Sequence, residues 1–127
     1  TEQSDGTFSH ETAFTLKDEQ CRFLVPGDFD HDGKIDLVAA GYHSGLWIAR
    51  QSDEGWTTTL IDKDSAGFEH TSYASDLDGD GKIELVVAAD QQSSLNLYRW
   101  NGTDFDKEKI GEISADTITW NIVQGQF

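Results

Sequence analysis

Hydrophobic and polar residues alternate with a period of two in short runs along the chain. The clearest runs occupy residues 22–25, 35–40, 46–49 and 56–61. These runs are rich in β-branched and aromatic residues and are separated by turns of Gly, Asp and Ser, a pattern typical of strands rather than helices. The pattern therefore predicts four β-strands within a unit of about 48 residues.

The chain contains an internal repeat that follows this unit. Residues 28–36 read DFDHDGKID and residues 76–84 read DLDGDGKIE, and an apolar run follows each copy. With one inserted residue the similarity continues, so that Leu46 corresponds to Leu95 and Arg50 to Arg99. A four-stranded repeat of this length is typical of a β-propeller blade. The run after each acidic segment is apolar on both faces, as expected for a sheet packed between two neighbours.

The predicted fold is therefore all-β, with two complete four-stranded blades and a partial blade at each end. We divide the chain into a partial blade at 1–20, blades at 21–68 and 69–115, and the start of a further blade at 116–127. Two complete blades cannot close a ring of four to eight. We therefore expect either a fragment of a longer polypeptide, which we favour, or several chains that assemble one propeller. Exposed blade faces would promote self-association.

The charge of the chain limits its partners. Nine Lys and Arg residues oppose 24 Asp and Glu residues, which gives a formal net charge of −15. Such a surface repels nucleic-acid phosphates and anionic lipids, and no apolar run approaches the ~18 residues that span a bilayer. We predict no nucleic-acid partner and no membrane insertion. The single cysteine, Cys21, lies in a strand-like run and is expected to be a buried, inert thiol.

The two acidic segments, called here the first acidic loop (28–36) and the second acidic loop (76–84), have the composition of metal sites. Their carboxylates repel one another unless a cation lies among them. Calcium prefers six to eight oxygen ligands in adaptable geometry, and Gly33 and Gly81 permit the sharp turn around an ion. We predict one Ca²⁺ in each loop. The predicted ligands are carboxylates at positions 1, 3, 5 and 9 and the carbonyl at position 7: Asp28, Asp30, Asp32, Lys34 and Asp36, and Asp76, Asp78, Asp80, Lys82 and Glu84.

Other interpretations of these loops fit less well. An EF-hand shares the D-x-D-x-D-G opening but needs a Glu at position 12, where this chain has Ala39 and Val87, and needs flanking helices. Magnesium demands stricter octahedral geometry, and zinc favours nitrogen or sulfur ligands. Acidic turns that stay solvated without metal remain the alternative, because Asp and Gly are ordinary turn formers.

The two acidic segments, with the runs that follow them, resemble the FG-GAP/VCBS repeats. These are the calcium-binding blades of integrin α-subunit heads and of many secreted or surface bacterial proteins. The resemblance covers roughly residues 6–127. It implies a propeller with one structural Ca²⁺ in each blade that bears the motif, used in adhesion, ligand display or sugar binding. Glu84 replaces the usual final Asp.

We therefore expect a non-enzymatic calcium-binding module for adhesion or carbohydrate binding, located extracellularly, at the cell surface or in the periplasm. No catalytic motif is evident. The alternative is an accessory or partial propeller of a polysaccharide-active enzyme such as a lyase, because similar repeats occur there. The aromatic residues could form a sugar-stacking platform, but most are expected to pack between blades. The turn at Tyr42, His43 and Ser44 is the best candidate for a ligand-facing loop.

Overall fold

A computed structural model describes residues 4–67, 71–114 and 116–125. The described residues form two four-stranded antiparallel sheets, each a simple meander of consecutive strands. The first sheet contains β1 (Cys21–Gly27), β2 (Asp36–Gly41), β3 (Gly45–Ser52) and β4 (Gly55–Asp62). The second contains β5 (Ser72–Ser75), β6 (Glu84–Ala89), β7 (Ser94–Trp100) and β8 (Phe105–Glu112). The predicted all-β fold of blade-like sheets is confirmed.

Each acidic loop connects the first two strands of its sheet. Gly27 pairs with Asp36 across β1 and β2, and Ser75 pairs with Glu84 across β5 and β6. The two ends of each loop are thus held side by side by the strand pairing. The strand that follows each loop is almost entirely buried, which agrees with its apolar character on both faces.

The hydrophobic core lies between the two sheets. It contains alternate residues from β2, β3 and β6, because successive side chains of a strand point to opposite faces. These residues pack with Tyr98 of β7 and with Phe29 of the first acidic loop. The fully or almost fully buried core members are Phe29, Val38, Ala40, Leu46, Ile48, Leu85, Val87 and Tyr98.

Each acidic loop contributes one apolar residue to the interface between the sheets, and the two residues come from different positions of the motif. Phe29, at position 2 of the first loop, is fully buried and meets Phe105 of β8 edge to face, with 6.5 Å between ring centroids. Ile83, at position 8 of the second loop, packs against the same core. Their counterparts differ, since Leu77 is half-buried and Ile35 is 54% exposed.

A polar contact also joins the sheets. Asp62, at the end of β4, accepts hydrogen bonds from the Tyr98 hydroxyl at 2.8 Å and from Lys107 Nζ at 2.6 Å. Burial raises the pKa of Asp62, but the hydrogen bonds from Lys107, Tyr98 and the Asp64 amide, with the charge of Lys107, together lower it below the usual value. Burial and the neighbouring Asp62 raise the pKa of Tyr98. The pair is therefore a neutral phenol and an ionised carboxylate near neutral pH.

The segments on either side of the sheets are less regular. In the described part of residues 4–20, Phe8 forms an isolated bridge. After β8, Thr119 donates hydrogen bonds to Asp90, and the Gln124 amide oxygen accepts one from Ser75 at 3.1 Å. Trp120 in this segment is 69% exposed. Residues 126–127, part of the predicted further blade, lie outside the described residues, and the predicted self-association stays a prediction.

The predicted burial of Cys21 is wrong. Cys21 is exposed at the first position of β1. Because β1 is an edge strand of its sheet, the start of the strand is not covered from the side. The thiol donates a hydrogen bond to the carbonyl of Phe23 at 3.3 Å, and partial burial of the sulfur raises its pKa.

No helix in the described part of the chain is long and apolar enough to cross a bilayer.

Candidate metal centres

The two acidic loops share most of their internal hydrogen bonds, and the second loop has one more, from the Gly79 N–H to Asp76 Oδ1 at 2.7 Å. In each loop the carboxylate at position 1 accepts the backbone N–H of position 6, at 3.1 Å in the first loop and 2.9 Å in the second. Position 3 accepts the N–H of position 5, and position 5 accepts that of position 7, at the same distances of 3.2 and 2.8 Å in both loops. The carboxylates are therefore turned inward by the backbone, as short polar side chains in turns commonly are.

Two positions in each loop have left-handed backbone. The glycines at position 6, Gly33 and Gly81, have φ of 85° and 88°, a region that glycine enters at little energetic cost. Position 4 is also left-handed, with His31 at φ 62° and Gly79 at φ 81°. The His31 side chain is exposed, as expected for this position. The shared conformation shows that the repeat in sequence is a repeat in backbone geometry.

The last carboxylate of each loop is buried at the first residue of the next strand. Asp36 is 1% exposed and Glu84 is 4% exposed. Asp36 Oδ2 accepts the N–H of Phe29 at 3.2 Å, and Glu84 Oε2 accepts the N–H of Leu77 at 2.8 Å. Position 9 therefore fixes position 2 of the same loop, in both repeats.

Three carboxylates converge in each loop. One oxygen from each lies within 4.8 Å of the others, a spacing that could hold a metal ion. The groups are Asp28, Asp30 and Asp32 in the first loop, and Asp76, Asp78 and Glu84 in the second. Asp36 and Asp80 lie outside these groups. Position 9 thus belongs to the group in the second loop, where it is Glu84, and not in the first, where it is Asp36. The roles of Asp36 and Asp80, and of the Lys34 and Lys82 carbonyls, stay predictions.

The first group has a buried oxygen that suits a cation. Among the described residues, Asp28 Oδ1 is buried and has no hydrogen-bond donor. A buried carboxylate oxygen without a donor is unfavourable unless a cation contacts it. Burial, followed by the nearby Asp30 carboxylate, also raises the pKa of Asp36. The donor set, made of carboxylate oxygens alone, fits a hard divalent cation such as Ca²⁺.

Arg50 of β3 contacts the first acidic loop, a contact that the sequence analysis did not predict. Its Nε lies 3.2 Å from Asp30 Oδ2, and its guanidinium carbon lies 4.6 Å from the ring centroid of Trp100 on β7. The corresponding residue of the second repeat, Arg99, instead pairs with Glu108 at 3.0 Å. The 49-residue correspondence of the two arginines was visible in the sequence, but their different partners depend on the packing of the sheets.

The turn between β2 and β3 is organised by a carboxylate that the sequence analysis also missed. Asp18 Oδ2 accepts the backbone N–H groups of His43 at 3.0 Å and Ser44 at 2.7 Å. Burial raises the pKa of Asp18, but the hydrogen bonds from Ser44 and its neighbours lower it much further. The Tyr42 and His43 rings lie 4.1 Å apart. Beside them is a cleft of about 410 Å³ that Lys17, Asp18, Glu19 and His43 line.

Three aromatic residues in the described part of the chain pack against other residues of the protein. Tyr98 is fully buried in the core, Trp100 packs between Arg50 and Phe105, and Trp56 contacts Phe14. This distribution agrees with packing for these three residues. Tyr42 is the aromatic residue that lies in the predicted ligand-facing turn.

A comparison with protein-family models matches the second repeat of the chain. Residues 76–127 match the family model of the FG-GAP-like repeat, and the match begins at Asp76, the first residue of the second acidic loop. The search of curated proteins and the search of solved structures found no match. Residues 76–127 thus carry an FG-GAP-like repeat, a module of the β-propeller type, and the resemblance is confirmed for this part of the chain, which includes the second acidic loop.

Proposed function

We propose that this chain is a non-enzymatic β-propeller repeat module that binds one Ca²⁺ in each acidic loop. The observation that carries the proposal is the convergence of three carboxylate oxygens within 4.8 Å in both loops. The two loops share most of their internal hydrogen bonds and are left-handed at the same two positions, which makes this arrangement a property of the repeat. The role of the ion is to stabilise the fold.

The physical argument concerns the cost of folding without a cation. Each loop brings four carboxylates into nine residues, and the strand pairing holds the loop ends together. Folding therefore concentrates negative charge that the unfolded chain keeps apart. A cation that binds the folded loop and not the unfolded chain shifts the equilibrium towards the folded state. In this way Ca²⁺ would contribute free energy of folding.

Calcium removal tests the proposal. At a free concentration 100 times Kd, each site should add ~2.7 kcal/mol to the free energy of unfolding. For a chain of this size, that corresponds to an increase in Tm of roughly 10 °C per site. We therefore expect EDTA to lower the Tm measured by circular dichroism, and restored Ca²⁺ to raise it again.

The matched control is the double variant Asp28→Asn and Asp76→Asn, which changes position 1 of both loops. Its Tm should respond little to Ca²⁺ or EDTA, while Mg²⁺ at equal concentration should raise the wild-type Tm by less. A wild-type Tm that stays unchanged after verified metal removal would contradict structural calcium.

The proposal also includes the location and the class of ligand. We assign the module to an extracellular, cell-surface or periplasmic location, where Ca²⁺ is abundant enough to fill sites with the weak affinity of extracellular calcium modules, about 10⁻⁴–10⁻³ M. Ligand contact, in adhesion or carbohydrate binding, would use the turn at Tyr42 and His43. This turn combines adjacent rings with a polar cleft, which suits a sugar that stacks on one face and accepts or donates hydrogen bonds at its edge.

A glycan array tests this part. We expect the wild-type chain to bind a subset of glycans and Tyr42→Ala to lose that binding, while Trp56→Ala, an aromatic change elsewhere, keeps it. Equal binding by wild type and Tyr42→Ala would exclude the turn as the sugar contact.

A further inference from the structure

Arg50 distinguishes the first acidic loop from the second. We propose that Arg50 is a fixed internal counter-cation that lowers the Ca²⁺ affinity of the first loop, so that the second loop fills first. This inference rests on the proposed function, because it concerns the relative strength of the two calcium sites. It follows from the surroundings of the first loop, where Arg50 lies beside one of the converging carboxylates.

Arg50 forms an ion pair with Asp30, although its buried Nε makes no hydrogen bond there. Its Nε lies 3.2 Å from Asp30 Oδ2, and the two side chains are only 26% and 17% exposed. The guanidinium is also held over the Trp100 ring, at 4.6 Å from the centroid. Arginine keeps its charge at all relevant pH values. Because Asp30 is one of the three converging carboxylates, an incoming Ca²⁺ shares this carboxylate with a cation that is already there.

The second loop has an ion pair of its own, made by the lysine at position 7 of the loop, and this pair is less confined. Lys82 Nζ lies 3.5 Å from Asp80 Oδ2, with side chains that are 58% and 46% exposed. Asp80 is outside the converging group of this loop. An exposed lysine has a flexible stem and its charge is screened by water, so it can move away from an ion at little cost. The packed guanidinium of Arg50 cannot move away without losing its contact with Trp100.

The expected effect is an affinity difference. Removing Arg50's charge should make the first loop bind Ca²⁺ about tenfold more tightly, which is ~1.4 kcal/mol. The reason is that a positive charge repels a divalent ion across a short, partly desolvated distance. The second loop should be unaffected by the same change.

The test isolates one loop at a time by calorimetric titration with CaCl₂. In the Asp76→Asn background, which disables the second loop, Arg50→Gln should bind about tenfold more tightly than the background alone. Arg99→Gln is the matched control, since it removes the same charge from the corresponding position of the other repeat. Its first-loop affinity should change by less than about twofold, because exposed charges at a distance are screened.

Further variants separate charge from packing. Arg50→Lys keeps the charge on a more mobile stem and should bind Ca²⁺ less tightly than Arg50→Gln, whereas a purely structural role would make the two variants bind equally. If Arg50→Gln does not fold by circular dichroism, Trp100→Leu, which frees the guanidinium, should still tighten first-loop binding. Asp28→Asn, the reciprocal background, should give a second-loop affinity that Arg50→Gln does not alter.

Several results would overturn the inference. Unchanged or weaker first-loop binding in Arg50→Gln would show that Arg50 positions Asp30 for the ion instead of competing with it. An equal gain from Arg99→Gln would assign the effect to net charge. Failure of the proposed function looks different, because then neither loop would bind Ca²⁺ in any variant.

Discussion

The two acidic loops have the same sequence pattern and most of the same internal hydrogen bonds, yet they lie in different surroundings. The first loop faces the second sheet, where Phe29 enters the core and Asp30 meets Arg50. In the second loop, Asp78, which corresponds to Asp30, is exposed to solvent. A repeated motif therefore determines local geometry, while its position in the stack of sheets determines burial and charge partners. Equivalent residues of the two repeats should respond differently to the same substitution.

The largest difference is expected at position 2 of the loops. Phe29→Ala should lower the free energy of unfolding by ~3–5 kcal/mol, because it removes a fully buried ring and leaves a cavity. Leu77→Ala, at the corresponding position of the second loop, should cost only about 1 kcal/mol because Leu77 is half-buried. Urea unfolding followed by circular dichroism, with Ca²⁺ held constant, measures both.

A milder variant keeps this comparison usable if Phe29→Ala does not fold. Phe29→Leu should be intermediate between wild type and Phe29→Ala, since it retains part of the buried apolar volume. Equal losses at Phe29 and Leu77 would refute the difference in environment that the structure describes.

A smaller effect is expected at Asp62, which joins the first sheet to the second. Gly111 takes the corresponding place in the second sheet, opposite Leu95. Asp62→Asn should lower the free energy of unfolding by ~1–2 kcal/mol, because it weakens two hydrogen bonds to a charged group.

The pH dependence of this effect has a definite sign. The folded pKa of Asp62 is lowered, so its contribution is fully present above the unfolded value of about 3.9 and is lost as the pH falls through the folded pKa. Urea midpoints in EDTA from pH 7 downwards should therefore converge for wild type and Asp62→Asn in acid. Asp53→Asn is the control, since the Asp53 side chain is 98% exposed and should show no resolvable difference. A gap between wild type and Asp62→Asn that widens in acid would contradict the assignment.

Much of the fold could be predicted from the sequence because the strands and the acidic loop of each repeat have local sequence patterns. Alternation in β1 to β4 and the apolar run after each loop correspond to the observed strands and their burial. The carboxylate convergence could be anticipated because the ligand spacing is local, within nine residues. Local patterns of this kind need no knowledge of tertiary packing.

The features that sequence reasoning missed depend on contacts between distant residues. The contact of Arg50 with Trp100 and the bond from Tyr98 to Asp62 cross from one sheet to the other. The different burial of Phe29 and Leu77 cannot be read from two apolar residues at the same motif position. Cys21 was misjudged for the same reason, because strand-like composition does not tell which strand lies at an edge.

The buried carboxylate at position 9 links the opening of each loop to the start of the following strand. Asp36 accepts the amide N–H of Phe29, and Glu84 accepts that of Leu77. The start of each loop is therefore hydrogen-bonded to the first residue of the following strand, and opening the loop breaks this bond. Loop and strand should therefore open as one cooperative unit. In hydrogen–deuterium exchange, those two amides would report the release of a whole hairpin, although they belong to turns.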